Sequence, residues 1–318
     1  MRIVVTGGAG FIGANLCRTL LDHGHQVVAL DDLSTGSTAN LEGTAVRLIE
    51  GSVLSTVALD DACHGADAIV HLAALGSVPR SVAAPLPTLA ANSTGTANVL
   101  EAARRHGNLH TLFAGSSSVY GANPALPKHE GLLPQPLSPY AASKLAAESY
   151  ALAWQQSYGL PVLSFRLFNV FGPLQSPHHP YAAVIPRFID AALAGEPLTV
   201  YGDGQQSRDF TFVGTVTAVI SDALERGVTS DSPVNLAFGT RVTLLQLADE
   251  LGRLIATPLR VQHRPARAGD VRHSQAANER LISLFPAARA TSLHDGLQAT
   301  VTWMRSEQAK ARSARVTG

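Results

Sequence analysis

The run Thr6-Gly7-Gly8-Ala9-Gly10-Phe11-Ile12-Gly13 joins an apolar strand to an amphipathic helix. Ile3, Val4 and Val5 before it have the unbroken apolar character of a parallel strand buried on both faces. The helical pattern after it continues through about Leu21. In such a junction Gly7 permits the tight turn, Gly10 lets the backbone approach a pyrophosphate, and Gly13 allows close packing of helix on strand. The positive end of the helix favours the anion. A glycine pattern alone is weak, and an ordinary βαβ unit with a glycine turn is the bland alternative. Here, however, strand, loop and helix come in the order a dinucleotide requires.

Working outward, a second strand from Gln26 to Leu30 ends at Asp31, near the spacing at which an acid binds the adenosine ribose hydroxyls. Asp31 and Asp32 together would repel a 2′-phosphate, and no arginine follows at once, so NAD is expected in preference to NADP. Two more βα units follow, from Val46 to Glu50 and from Ala68 to His71. The alternation predicts an α/β protein built on a doubly wound parallel sheet. His71 reads as a packed strand-end residue rather than a catalyst. Pro85 to His106 reads as one long helix, on which Asn92 either touches the cofactor or satisfies the core.

With 318 residues, the chain is long enough for a sizeable core, expected as two lobes sharing one active site. It is 46% hydrophobic and 15% charged, with a formal net charge of zero, which gives no reason to expect a nucleic-acid or anionic-membrane partner. Cys17 and Cys63 have no CxxC or metal-ligand neighbour, so buried reduced thiols are expected and no metal site. No apolar run reaches membrane-spanning length, and the chain opens directly on a core strand. A cytoplasmic protein without a signal peptide is therefore expected.

Further along, Ser138-Pro-Tyr-Ala-Ala-Ser-Lys144 opens a predicted helix. Tyr140 and Lys144 lie four residues apart on one face, about 6 Å along the axis. A positive charge near a phenol favours the phenolate. A shift of about three pH units corresponds to roughly 4 kcal/mol, which a cationic nicotinamide and a lysine could supply together. The pair could then act as a base toward a sugar hydroxyl. Taken alone, Tyr-x-x-x-Lys is more often a solvated helix edge.

The strand from His110 to Ala114 opens into Gly115-Ser116-Ser117-Ser118-Val119-Tyr120-Gly121. With TGGAGFIG, HLAALGSVPRS (71 to 81), YAASK, FNVFGPLQSP (168 to 177), YAAVIPRF (181 to 188), YGDGQQSRDF (201 to 210) and RAGDVRHS (267 to 274), this resembles the extended short-chain dehydrogenase/reductase family. The resemblance covers nearly the whole chain. It is strongest to the nucleotide-sugar branch, and within that to UDP-N-acetylglucosamine and UDP-glucose 4-epimerases.

The resemblance implies a Rossmann sheet with a smaller C-terminal α/β substrate-binding lobe. Residues 1–169, with about 209–240, would hold the cofactor, and 170–208 with 241–318 the nucleotide sugar. It implies tightly bound NAD, lying against Gly7, Gly10, Phe11, Ile12, Gly13, Asp31, Asp32, Ser52, Val53, Leu72, Ala73, Ala74, Asn92 and Phe168. Ser116, Tyr140 and Lys144 would be catalytic, with Lys144 holding the nicotinamide ribose and keeping the Tyr140 pKa low. Ser77, Ser117, Ser118, Asn169, Val184 and Ile185 would face the UDP-sugar, and Tyr201 would stack on uracil. Arg208 and Arg267 would bind the diphosphate, where a planar cationic fork suits phosphate oxygens. The bland alternative for each arginine taken singly is a surface ion pair, which the embedding in SRDF and RAGDV disfavours. Asp270 would accept from the ribose hydroxyls. Helices after Pro85 and Pro139 would pair into a homodimer.

Two features of the resemblance bear on substrate and reaction. Dehydratases of the family typically carry an Asp-Glu pair just before Val-Tyr-Gly, and decarboxylating relatives usually keep a Glu. Ser117 and Ser118 stand there in this chain, which favours redox-neutral inversion at C4. Ser274 stands where a bulky residue narrows the hexose pocket in relatives, which would leave room for a 2-acetamido group. Three departures run against the pattern. Ser52 replaces an acid expected at the adenine amino group. Thr215 replaces an acid in Phe212-Val213-Gly214-Thr215 and is expected to cap the following helix. Leu174 replaces a frequent arginine. Enzymatic alternatives are a 4-epimerase of UDP-glucuronate or a dTDP-hexose, and a nucleotide-sugar reductase or dehydratase. A cofactor-sensing regulator is the non-enzymatic one.

Overall fold

A computed structural model describes residues 1–178, 182–265 and 271–316, with side chains described as far as residue 310. Its centre is a seven-stranded sheet in which every pairing is parallel. The first six strands are β1 (Arg2–Thr6), β2 (Gln26–Asp31), β3 (Arg47–Glu50), β4 (Ala68–His71), β5 (His110–Ser116) and β6 (Val162–Leu167). Across the sheet the order is Val234–Leu236, β6, β5, β4, β1, β2, β3, so the chain winds outward from the middle in both directions. This is the doubly wound arrangement expected from the sequence, with its switch point between β1 and β4.

Both faces of the sheet are covered, which is why its strands are apolar throughout. On one face Ile3, Val5, Val27 and Val70 pack with Leu16 and Leu20 of the Phe11–Asp22 helix and with Val216 and Ile220 of the Val213–Glu225 helix. On the other, Val4, Val28 and Ile69 pack with Leu59, Val99, Leu100, Ala147 and Ala151. Cys17 and Cys63 are buried free thiols in these layers, and burial pushes both up to about 12. A separate core joins Phe171, Ile185, Phe188, Leu198 and Val200 to Leu247, Leu251, Leu297 and Val301. It brings the middle of the chain together with its C-terminal third. No helix among the described residues is long and apolar enough to cross a membrane.

The helix expected over 85 to 106 is broken. Pro85–Leu89 and Gly95–Arg105 are α-helical, but Ala90–Thr94 forms a π turn between them. Two side-chain bonds accompany the turn. Thr96 Oγ1 donates to the Asn92 carbonyl at 2.5 Å, and Ser93 Oγ donates to the Ser143 carbonyl at 3.2 Å. Such turns relax the hydrogen-bond ladder where a helix must serve another contact.

That contact reaches the centre of the sheet. Ala73 N–H donates to Thr6 Oγ1 (3.3 Å), which lies 2.7 Å from His71 Nδ1, while His71 Nε2 lies 2.9 Å from Thr96 Oγ1. Because the Thr96 hydroxyl already donates to Asn92, it must accept from His71, which fixes a neutral imidazole with its proton on Nε2. Burial, with the nearby Lys144 charge as a smaller cause, pulls His71 down to about 3. The unfolded chain takes up a proton near pH 6.5, whereas the folded chain does not until far lower pH. The stabilising effect is therefore complete above pH 6.5 and is lost as the pH falls below it. Between pH 7 and pH 5, His71 should cost the fold about 2 kcal/mol. Urea unfolding at the two pH values should show that loss in the wild type. It should be smaller by that amount in His71→Gln, whose amide keeps one donor and one acceptor.

Candidate active site

At the carboxyl end of β1, Gly7 has φ +70° and a Cβ there would come within 2.7 Å of Ala73 N. A Cβ on Gly13 would sit 2.1 Å from the Gly7 carbonyl, so helix and loop are in direct backbone contact. Gly10 differs, since its Cβ would meet only Gly7 O, at 3.2 Å, which leaves its outer side open. It caps the Phe11–Asp22 helix with no side-chain hydrogen bond and no acid in the first turn. The first helical amides, from Phe11, Ile12 and Gly13, are thus available to an anion.

Asp31 ends β2 beside this loop. Its carboxylate accepts from Ala9 N–H and Leu33 N–H, each at 2.9 Å, and burial raises its pKa despite those bonds. Exposed Asp32 caps its own turn through Ser34. Ser52 Oγ is half-buried and accepts from Leu54 N–H at 3.2 Å, while buried Val53 packs against Gly95. Leu72, Ala73 and Ala74 continue β4 as a half-buried segment facing the glycine loop. Together these groups fit a dinucleotide: a backbone cradle for phosphate, a fixed carboxylate for ribose, and an apolar wall.

Asn92 follows the second of its two readings. Its Oδ1 accepts from Leu75 N–H (2.8 Å), and its Nδ2 donates to the Leu75 carbonyl (3.3 Å) and Ser143 Oγ (3.0 Å). It therefore clamps the 72–75 segment to the helix instead of reaching into the cleft. Phe168 is likewise packed inward, 3% exposed, with its ring 6.3 Å from that of Tyr120. Thr215 does not cap its helix. Phe212 is the cap, and Thr215 Oγ1 instead accepts from Thr291 N–H at 3.1 Å.

At the end of β5, Ser116 caps a short 3-10 turn over Ser117–Tyr120. Its Oγ accepts from Ser118 N–H (3.2 Å) and from Ser118 Oγ–H (2.8 Å), so its own proton is free to be donated. The helix Pro139–Tyr158 starts with Pro139 at its first position and Ser138 as cap, which turns Tyr140 and Lys144 toward the same strand end. Buried Lys144 sits with Nζ 5.2 Å from the Phe113 ring centre and donates to the Ala114 carbonyl at 2.8 Å. Burial brings its pKa down to about 8. The Tyr140 phenol is pushed up by burial, with the Ser116 hydroxyl working the other way.

Ser116 pairs with Leu167 across β5 and β6, and Asn169 lies two residues beyond Leu167. There a pocket of about 270 Å³ opens against the separate core. Asn169, Val184, Ile185, Tyr201 and Arg208 all line it, although they come from four segments of the chain. Asn169 Nδ2 is held by the Asp209 carbonyl at 3.3 Å. Val184 and Ile185 begin a helix whose cap residue, Ala183, supplies no side-chain bond. Sequence reasoning missed Gln175, Arg187 and Gln206, which line the same pocket. Ser274 is half-buried and held by its N–H to the Ser207 carbonyl (3.1 Å), outside that lining. Ser77, capping the next helix at φ +107°, is a strained non-glycine turn beyond the 72–75 segment. Arg267 and Asp270 lie outside the described residues. No group of metal-ligating side chains occurs among the described residues.

The NAD dependent epimerase/dehydratase family matches residues 3–237. The chain is similar to a UDP-glucose 4-epimerase of Mycolicibacterium smegmatis, 34% identical over 96% of this chain and 99% of the relative. A dTDP-glucose 4,6-dehydratase of Streptomyces niveus is also 34% identical, over 97% and 94%. Among solved structures, a UDP-N-acetylglucosamine 4-epimerase from Methanobrevibacter ruminantium M1, in complex with UDP-N-acetylmuramic acid, is 35% identical. It superposes with a TM-score of 0.91 over 96% of this chain and 98% of that one. The family resemblance read from the sequence, its Rossmann sheet and its NAD cofactor thus hold. The chain belongs to the NAD-dependent epimerase/dehydratase family of enzymes.

Proposed function

We propose that the protein is a UDP-sugar 4-epimerase, inverting C4 of UDP-GlcNAc and UDP-GalNAc, and of UDP-Glc and UDP-Gal, through a transient 4-keto sugar. The observation that carries this reading is the convergence of Ser116, Tyr140 and Lys144 at one strand end, with hydroxyls alone at 117 and 118. Elimination of water across C5 and C6 would need further acid and base groups there, and serines near neutral pH supply neither. Both 4-epimerase relatives favour the same choice.

On this reading Tyr140 takes the proton of the 4-hydroxyl and later returns it. Ser116, whose proton is free, holds the same oxygen and relays. Lys144 is anchored by Ala114 and positions the nicotinamide ribose. Bound NAD supplies the hydride acceptor at C4 and a positive charge that favours the phenolate, which the protein alone leaves high. Asn169, Val184, Ile185, Tyr201 and Arg208 grip the UDP while the sugar turns over. Gly7, Gly10, Gly13 and Asp31 retain the cofactor through the cycle.

The same reading divides the chain into a cofactor unit, 1–169 with about 209–240, and a sugar-nucleotide lobe, 170–208 with 241–318. Exposed Leu86, Leu89, Tyr150 and Tyr158 on the helices after Pro85 and Pro139 support pairing of two copies there, in a cytoplasmic enzyme.

Purified protein mixed separately with UDP-GlcNAc, UDP-Glc, UDP-GlcA and dTDP-Glc, with no cofactor added, should convert the first two to their C4 epimers, as followed by anomeric NMR signals. A 4-keto-6-deoxy product, or a requirement for added NAD(P)H, would replace this reading with a dehydratase or a reductase. Tyr140→Phe should lower kcat by about 10²- to 10⁴-fold while the bound cofactor and thermal midpoint stay unchanged. Ser274→Tyr should lower kcat/KM for UDP-GlcNAc at least about tenfold relative to UDP-Glc, given a clash worth over about 1.4 kcal/mol. Equal kcat/KM ratios in wild type and variant would end the preference for the acetylated pair.

A further inference from the structure

Each donor of Asn235, and its side-chain oxygen, has a protein partner. Oδ1 accepts from the Tyr120 hydroxyl at 2.6 Å, and Nδ2 donates to the carbonyls of Lys128 (2.8 Å) and Ala277 (3.1 Å). The backbone N–H donates to Glu130 Oε1 at 2.8 Å. Asn235, Tyr120, Lys128 and Ala277 are all buried. The amide cannot be turned over, because its oxygen would then face two carbonyls.

These partners join the strand end that carries Ser116 to the wall of the pocket. Tyr120 ends the turn that Ser116 caps. On the other side, Lys128 N–H donates to the Gln275 carbonyl (2.7 Å) and Ala277 N–H to the Lys128 carbonyl (2.8 Å). Ala276 N–H donates in turn to the Asp209 carboxylate at 3.0 Å, which also accepts from Gly239 N–H (3.1 Å) and the Thr240 hydroxyl (2.8 Å). Asp209 is fully buried between Arg208 and Phe210, which line the pocket, and its carbonyl holds Asn169. A chain of buried hydrogen bonds and short backbone steps thus runs from the turn after Ser116 to three residues of the pocket. The apolar cluster along it is small: Val119, Tyr120, Phe168, Ala237 and Ala276. A fully satisfied buried polar network specifies one arrangement more sharply than apolar contact does.

We infer that Tyr120 and Asn235 are positioning residues, which hold the pocket at a fixed distance and angle from Ser116 and Tyr140. Neither touches the pocket, and their loss is expected in the turnover of bound substrate instead of in its binding. This inference rests on the UDP-sugar reading above, in which one ligand is gripped by the pocket and reacts at that strand end.

Steady-state kinetics with UDP-Glc, beside calorimetric titration of the holoenzyme with UDP, separate positioning from stability. Tyr120→Phe keeps the ring and removes only the hydroxyl. It should lower kcat at least about tenfold, with KM for UDP-Glc, Kd for UDP and bound NAD each within about twofold of wild type. Thr215→Val breaks another buried bond, to Thr291 N–H, away from this chain of contacts. It should lower the thermal midpoint while kcat stays within about twofold of wild type. Asn235→Leu should lower kcat at least as far as Tyr120→Phe. Combining the two should cost no more than about a further twofold, since both break one link. Unchanged kcat in Tyr120→Phe would refute the inference. So would an equal loss of kcat in Thr215→Val, or losses that multiply in the double variant. Should Asn235→Leu fail to fold, Tyr120→Phe against Thr215→Val decides. A wild type that epimerised neither UDP-Glc nor UDP-GlcNAc would overturn the UDP-sugar reading, and this inference with it.

Discussion

One helix, Pro139–Tyr158, is held to the sheet by two buried charges, and the position of Tyr140 depends on both. Lys144 docks on the Ala114 carbonyl at the end of β5. One turn later Glu148 makes a two-pronged pair with Arg166 of β6, at 2.7 and 2.8 Å, with both side chains almost fully buried. Arg166 also lies 4.7 Å from the centre of the Tyr120 ring, whose hydroxyl donates to Asn235 in the next strand of the sheet. Charges removed from water in this way stabilise little on balance, but leaving either partner alone is strongly unfavourable. Sliding the helix by one residue would break both attachments at once. Their effect is to fix register, and with it the place of Tyr140 four residues before Lys144.

Much of this was legible in the chain because it follows from local rules. An apolar strand, three glycines at set spacing and a helical pattern define the cofactor loop, and a spacing of four puts Tyr140 and Lys144 on one face. The π turn was not legible, since the pattern over 85 to 106 is helical throughout and the partner of Ser93, the Ser143 carbonyl, lies on another helix. Thr215 misled because its hydroxyl pairs with a residue distant in the sequence, Thr291. Gln175 and Gln206 were not singled out, because that they line one pocket is a property of the fold.

The core that surrounds the pocket is separate from the two cores that sandwich the sheet. The residues that line the pocket therefore rest on one packing unit, and Ser116, Tyr140 and Lys144 rest on another. Substitutions around Phe171, Phe188 or Leu247 can reshape the recognition surface while leaving the strand end that carries Ser116 undisturbed. Natural variation is then free to retarget the enzyme by drift in one half of the molecule, with its chemistry inherited intact in the other.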